Sequence, residues 1–401
     1  MSVSTNDLPF EDVKVLDLSQ GIAGPYCGMH LARNGADVIK VEPPGAGCWS
    51  RLLGKHTGDQ TAHSVIVNRA KRSLAVDLKT AEGVAIVQRL AAECDVLIQN
   101  YRVGKIDKFK LDYASVKQTN PEIIYLSITG FGATGPLADQ PATDSVMQAY
   151  TGLMSINRDV NGVPQRIEML AIDFSTGLYA FQAVAAALYR KAMKGRGAHI
   201  ETSLLECALA LQEGAMMEHH LQGGAAEPIG MPVGMFKTQD GYMSVNARRD
   251  EHFKRLAKLL GKGEWITDPR YADSRARVIN RNELMAELRP FFETKTSNEW
   301  VELLSGIDIL KAKVNTYDDL FIDAQVQAVD AVRWVENDTL GRVPMGNICG
   351  QRPPATGDRL THAPHVGEHT REILGEMGYG GAEIERLGAT GIVGCYRASP
   401  D

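Results

Sequence analysis

Asp173 is the residue of this chain whose surroundings best suit covalent chemistry. It stands between the apolar run Met169-Leu170-Ala171-Ile172 and a stretch of small apolar helix formers from Leu178 to Leu188. Arg190, Lys191 and Lys194 put positive charge into the last turns, and Gly195 stops the helix. Asp173 therefore falls at the helix N-terminus. There the macrodipole and the free backbone N–H groups favour an ionised carboxylate, the form that attacks an electrophilic acyl carbon. Aspartate is also among the best N-cap residues, and on the residues alone capping is the plainer of the two roles.

The elements that must hold such a group can be read from the apolar pattern. Val13 to Leu18 reads as a buried strand, followed by a glycine-containing turn, a helix to about Asn34 and a second strand, Asp37 to Glu42. The alternation continues with a strand at Leu74 to Leu78, a helix at Ala81 to Ala92, and strands at Asp95 to Gln99 and Ile123 to Thr129. The first half is thus an α/β domain with a largely parallel sheet. A β-like stretch follows from Ala198 to Thr202, then a helix from Leu204 to about Gln222. Gly223 to Pro228 and the Gly/Pro/Met run to Gly234 read as a connection into a second domain. That domain opens with a hairpin around Gln239-Asp240-Gly241, and helices dominate from His252 to about Ser305. Beyond Asp330 regular patterns are few until Thr370 to Met377.

Gly21, Gly24 and Gly28 lie between the first strand and its helix, with Glu42 ending the second strand. A dinucleotide site combines similar parts, but the spacing is G-x-x-G-x-x-x-G rather than G-x-G-x-x-G, and Pro25 removes a donor. A tight strand-to-helix turn explains these glycines better than NAD does.

Composition bounds the rest. With 401 residues the length suits two or three domains, and 44% hydrophobic with 23% charged residues is ordinary for a globular protein. A net charge of −6 argues against a nucleic-acid or anionic-membrane partner, so any anionic ligand must be met by local cations. The six cysteines are scattered without C-x-x-C pairs or zinc spacing, which predicts reduced thiols and no metal site. Met1 to Glu11 lacks a signal-peptide pattern, and Leu178 to Leu188 is too short to span a bilayer. A soluble cytoplasmic protein is expected.

Taken in order, the segments resemble the class III CoA-transferase family, which embraces formyl-CoA transferase, carnitine CoA-transferase and alpha-methylacyl-CoA racemase. The likeness runs nearly end to end. Its N-terminal pieces are Val15-Leu16-Asp17-Leu18 with Ala23-Gly24-Pro25, Gly35 to Glu42, and Lys71-Arg72-Ser73-Leu74 with Asp77-Leu78-Lys79. Asn100-Tyr101-Arg102, Gly130-Phe131-Gly132 and Gly135-Pro136 follow, then Asp173 with Gly177, Gly195-Arg196-Gly197, Asp240-Gly241, and Pro364 with Gly367-Glu368-His369-Thr370. Each is weak alone, but the ordered set is specific and raises the nucleophilic role of Asp173 above capping.

The resemblance implies a CoA-transferase moving CoA from an acyl thioester to a carboxylic acid through aspartyl anhydride and aspartyl-CoA intermediates. Short-chain, possibly dicarboxylic, acids are the expected substrates. Coenzyme A is implied as a substrate, with no tightly bound cofactor. Asp173 is the implied nucleophile, and Asp144 matches an acidic residue kept close to it, although a turn or cap after Pro141 is an even reading of Asp144. Val76, Lys79, Asn100, Tyr101, Arg102 and Lys108 match segments that contact the nucleotide. Solvated surface charge is the bland alternative for the cations. The implied architecture is a Rossmann-like large domain plus a smaller α+β domain, in chains interlocked as a homodimer. The expected division is 1–200, a linker helix 201–228, a small domain 229–325, and a return segment 326–401 completing the large domain.

Several positions depart from the family pattern. Ile22 stands where the formyl branch has a glutamine, with Gln20 nearby, and Pro43 replaces an arginine that approaches the nucleotide. The glycine-rich flap is also missing as such, which argues against formyl or oxalyl chemistry. The racemase branch, the alternative function, uses a histidine before the aspartate at 144, where this chain has Thr143, a residue unable to exchange protons at neutral pH. Asp250, near that branch's second acidic position, does not complete a pair without it. His219, His220 and Arg166 are further groups able to meet a carboxylate and stay outside the expected site.

Overall fold

The apolar run after Lys14 becomes β1 (Lys14–Asp17), the middle strand of a seven-stranded sheet, in a computed structural model that describes residues 8–159, 161–224 and 228–396. The next strands are β2 (Asp37–Glu42), β3 (Arg72–Val76), β4 (Val96–Gln99), β5 (Ile124–Thr129) and β6 (Ala198–Ser203). They pair in parallel in the order 3-2-1-4-5-6, and a two-residue strand, Val393–Gly394, adds antiparallel to β3. This is the doubly wound Rossmann order, whose direction of winding reverses between β1 and β4. Ligands of such sheets sit in the crevice beyond the strands' carboxyl ends at that reversal.

Alternation within the strands supplies two cores. Val15, Val38, Val96 and Ile124 face the helices Ala23–Arg33 and Ala171–Lys194, while Leu16, Leu74, Leu97 and Tyr125 pack with Ile86 and Val87 and with Ile373, Leu374 and Ile384. The last three come from helices Thr370–Glu376 and Gly381–Ala389, so distant sequence completes one face.

The helix bearing Asp173 begins seven residues before Leu178. Its buried positions Ile172, Thr176, Ala180, Val184 and Leu188 recur every four residues, and Gly195 ends it with a φ of 60°. At 24 residues and a mean hydropathy of 1.2 it has the length and composition of a membrane span, which the shorter stretch read from sequence did not. Here it lies against the helix Ala23–Arg33 and strands β5 and β6.

The chain forms two compact units, one built up to Glu213 and again from Asp330, the other Gly214–Val329. The second holds an antiparallel sheet of β7 (Val233–Lys237), β8 (Tyr242–Asn246) and β9 (Leu310–Lys313), packed with helices around Phe236, Phe253, Phe292 and Trp300. The Asp-Gly hairpin joins β7 to β8 as expected, while the Lys-rich edge strand β9 gave no apolar signal. The expected helix 204–222 is broken at Gln212, whose amide donates to the Ala208 carbonyl and the Thr151 hydroxyl. Beyond Asp330 the chain is more regular than its pattern suggests, with an antiparallel hairpin Val332–Asn337/Gly341–Gly346. The polar N-terminus to Asp7, and Ala225 to Glu227 of the expected connection, lie outside the described residues.

Candidate active site

Asp173 occupies the third position of its helix, so it is not the cap; Leu170 is, and its side chain caps nothing. The capping is done by Asp144. Its Oδ2 accepts the backbone N–H groups of Ile172 at 2.7 Å and Asp173 at 3.1 Å, two of the donors a helix start leaves unsatisfied. Gln148 Nε2 donates to the other oxygen of Asp144 at 2.6 Å, and the Ile167 N–H donates to Gln148 Oε1 at 2.8 Å, which ties down the approach to the helix. Asp144 is thus a cap, as one of its two readings had it, but of a helix 27 residues further on rather than its own.

This arrangement changes the electrostatics expected at Asp173. The N–H groups that were to favour its charged form are taken by a second carboxylate. Burial first, and the Asp144 charge second, push the Asp173 carboxyl up to about 7.

The Asp173 side chain lines a cavity of about 290 Å³ with Gln20, Ile22, Trp49, Arg102, Gln140 and Thr143. Gln20 follows β1, Asn100 to Arg102 follow β4, and Thr129 and Gly130 end β5, so the cavity sits at the carboxyl ends of the strands. Arg102 is exposed and belongs to no salt bridge among the described residues. No histidine lines this cavity, and Thr143 stands at its wall.

Beside it lies a second cavity of about 470 Å³, sharing Gln20 and Tyr101 with the first. Val76, Lys79, Lys108, Phe109, Pro43 and Pro44 also line it. A more open groove continues past Lys79 and Lys108 to Lys110. All six residues expected to contact a nucleotide therefore border two joined cavities, but they divide: Val76, Lys79 and Lys108 surround one, Asn100 and Arg102 the other, and Tyr101 both. Asn100 is largely committed to the fold. Its amide accepts from the Gln20 N–H and donates to the Gln20 carbonyl, each at 2.7 Å, and so holds the loop after β1 against the one after β4.

That loop is also braced from below by a buried cluster not anticipated from sequence. Asp17 receives Lys71 Nζ at 2.8 Å and lies 3.5 Å from Lys40 Nζ, and it accepts the Ser19 backbone N–H at 3.0 Å. Lys40 donates to the Ser19 carbonyl. The two ammonium groups and Ser19 outweigh the burial of Asp17 and hold its carboxyl below the usual range. Lys40 in the middle of an apolar strand was the available signal, since a lysine there must find a buried partner.

The glycines of this turn serve packing. A side chain on Gly21, at a φ of 80°, would lie 1.9 Å from the Trp49 ring, and one on Gly28 would meet Asp17 and Lys71. Glu42 is held bidentately by Arg51 at 2.8 Å and accepts from Ser73 and the Cys48 N–H, so it has no oxygen left for a ribose. Asp250, in the other unit, pairs with the buried Arg277 at 2.6 Å, and Arg166 pairs with Glu168. His219 and His220 end the helix Glu213–Leu221. Among the described residues no set of three His, Cys, Asp or Glu could hold a metal ion, and Cys27, Cys48, Cys94, Cys207 and Cys349 are free thiols.

A doubly wound sheet with a carboxylate above its switch point and a lysine-lined annex beside it gives the chain the architecture of an α/β enzyme. Residues 10–370 match the model of CoA-transferase family III, and the chain belongs to that family. It is a CoA-transferase, with CoA as co-substrate. Succinyl-CoA:glutarate CoA-transferase of Homo sapiens is 35% identical over 397 residues, covering 97% of this chain and 90% of that protein. Succinate–glutarate CoA-transferase of Agrobacterium fabrum is 34% identical, covering 92% and 96%. The crystal structure of a CAIB/BAIF family protein from Brucella suis superposes with a TM-score of 0.82 at 33% identity, over 93% of this chain and all of that one.

Proposed function

We propose that this enzyme moves CoA between short-chain dicarboxylic acids, with Asp173 as nucleophile and carrier. The observation that carries the reading is the position of the Asp173 carboxylate on a cavity that joins, through Gln20 and Tyr101, a second one flanked by Lys79 and Lys108. A CoA ester laid along both would put its thioester by Asp173, its adenine against Val76, and its phosphates by lysines that make no salt bridge among the described residues.

An Asp173 oxygen attacks the thioester carbonyl; the C–S bond breaks, leaving a mixed anhydride and CoA thiolate. The thiolate attacks the aspartyl carbonyl, which releases the donor acid and leaves CoA on Asp173 as a thioester. The acceptor carboxylate then attacks that thioester, giving a second anhydride and thiolate. Attack of the thiolate on the acceptor's acyl carbon yields the new acyl-CoA and frees Asp173. No proton or water is consumed, so the site's task is to exclude water and hold three groups in line. Asp144 is a positioning residue here, acting through the helix start it caps. Gln20 stands at the junction of the cavities, where a side-chain amide can meet the reacting carbonyls.

The dicarboxylate preference draws on the printed names of the human and Agrobacterium relatives. The same reading includes an interlocked homodimer, supported by the exposed apolar residues Leu178, Tyr179, Tyr189 and Met193 on the outer face of the Asp173 helix.

Succinyl-CoA incubated with glutarate, resolved by chromatography, tests the activity. Glutaryl-CoA should appear in step with succinate, with parallel-line initial-rate kinetics. Hydrolysis without transfer, or exchange of the α-proton without transfer, would overturn the proposal.

A further inference from the structure

We infer that Arg69, with Tyr26 and Asn68 beside it, forms a carboxylate site that receives the remote carboxylate of a dicarboxylic acyl group. This rests on the transferase reading above for the location of the chemistry, but not for the existence of the site.

Arg69 is 5% exposed, and among the described residues no carboxylate lies within salt-bridge distance of it. Among the described residues its guanidinium makes one hydrogen bond, a weak contact of 3.4 Å to the Met345 thioether, and its Nε has no partner. A second buried cation, Arg33, stands near and makes matters worse. Arg33 donates to the carbonyls of Leu360 and Arg352 and to the Gln351 amide, which leaves its charge uncompensated by contact. Burial and Arg33 together bring the Arg69 guanidinium down to about 10, so it remains charged at neutral pH.

Two more polar groups are orphaned. Asn68 Nδ2 and His30 Nε2 are buried without partners. His30 is held down to about 4 by burial and by both arginines, so it is neutral. Burial raises the Tyr26 hydroxyl, and the Arg69 charge works against that rise. Native folds rarely leave such groups unmet, and an unpaired buried charge costs several kcal/mol. Positive charge beside unmet polar groups is the complement of a carboxylate.

Tyr26 links the site to the chemistry. Ala23 borders the Asp173 cavity, and Tyr26 is one turn further along the same helix, a rise of about 4.5 Å. The Tyr26 ring packs edge-on against Phe174, the neighbour of Asp173, at 4.8 Å. It also comes within 3.0 Å of where a Cβ on Gly177 would lie. A four- or five-carbon diacid separates its carboxyl carbons by about 4–5 Å at ~1.5 Å per bond. With one end on Asp173, such a diacid can set its other end beside Tyr26 in the proposed site.

Arg69→Met, uncharged and of similar length, tests this on the full-length protein. Its thermal stability should equal or exceed that of the parent, because an unpaired buried charge is removed; a purely structural arginine would leave a destabilised variant. Succinate and glutarate should raise the melting temperature of the parent and of Asp173→Asn but not of Arg69→Met, and butyrate should raise none of them. In transfer assays the KM for succinate should rise about ten-fold or more while that for butyrate is unchanged, with Arg69→Lys partly restoring the preference. An unaltered preference for succinate over butyrate in Arg69→Met overturns the site. So does chloride or phosphate protection that depends on Arg69 and does not compete with succinate, since that marks an adventitious anion only. Arg69-dependent protection by succinate in a protein lacking transfer would sink the catalytic reading and leave this one standing.

Discussion

Asp173 combines two demands that pull against each other. A nucleophilic carboxylate must be ionised, yet one that is too acidic attacks poorly. The first turn of a helix would ordinarily make it acidic, and Asp144 prevents this by taking the N–H groups of Ile172 and Asp173 and by adding its own charge. With the carboxyl near 7, the rate of acyl transfer should climb as pH rises through neutrality, because deprotonation creates the attacking form. Asp144→Asn keeps an oxygen for the helix N–H groups and removes the charge, so its pH–rate profile should move to lower pH, with the two enzymes differing most below neutrality. An unmoved profile with a uniformly lower rate would mean that Asp144 only holds the helix. The carboxylate itself was legible from its place before an Ala-rich helix. Its acidity was not, because burial, and after it a carboxylate 29 positions away, act on it only in the folded chain.

The elements position this chemistry through close approaches. The Asp173 helix crosses the helix Ala23–Arg33 at Gly177, where a Cβ would lie 2.8 Å from the Ala23 carbonyl and 3.0 Å from Tyr26. Gly177→Val should therefore cost about 2–4 kcal/mol in denaturant unfolding and lower kcat with it, since parting these helices moves Asp173 and Ala23 on the cavity wall together. A wild-type melting curve would show that the crossing has slack. Strands buried on both faces announced themselves as apolar runs, which is why β2 was read to the residue and β1, β4 and β5 to within one or two. The elements missed were those whose faces are partly solvated. The edge strand β9 alternates lysine with one leucine and one alanine, and the hairpin after Asp330 includes Pro344 and Gly341, which resemble a loop until Val335 and Met345 are seen buried against Val65. The buried Asp17–Lys40–Lys71 cluster was largely hidden, because only Lys40, inside an apolar strand, hinted at burial, and its partners are distant in sequence.

At the scale of the whole molecule, a net charge of −6 coexists with a crevice whose annex is lined by Lys79, Lys108 and Lys110. Binding of a polyanionic handle should thus depend on these few cations and weaken with salt. Replacing Lys79 and Lys108 together by alanine should raise the KM for CoA esters about ten-fold or more and flatten its dependence on ionic strength, with kcat little changed. A steep salt dependence surviving in the double variant would place the phosphates elsewhere. The central claim, however, is that a carboxylate of this crevice carries the CoA. Peptide mass spectrometry after brief incubation with succinyl-CoA and no acceptor tests it most directly, with Asp173→Asn in parallel. A CoA thioester on the peptide containing Asp173, absent from the variant and removed by glutarate, is the predicted result. An unmodified Asp173 peptide in an enzyme that still transfers CoA, or the same adduct on another residue, would contradict it.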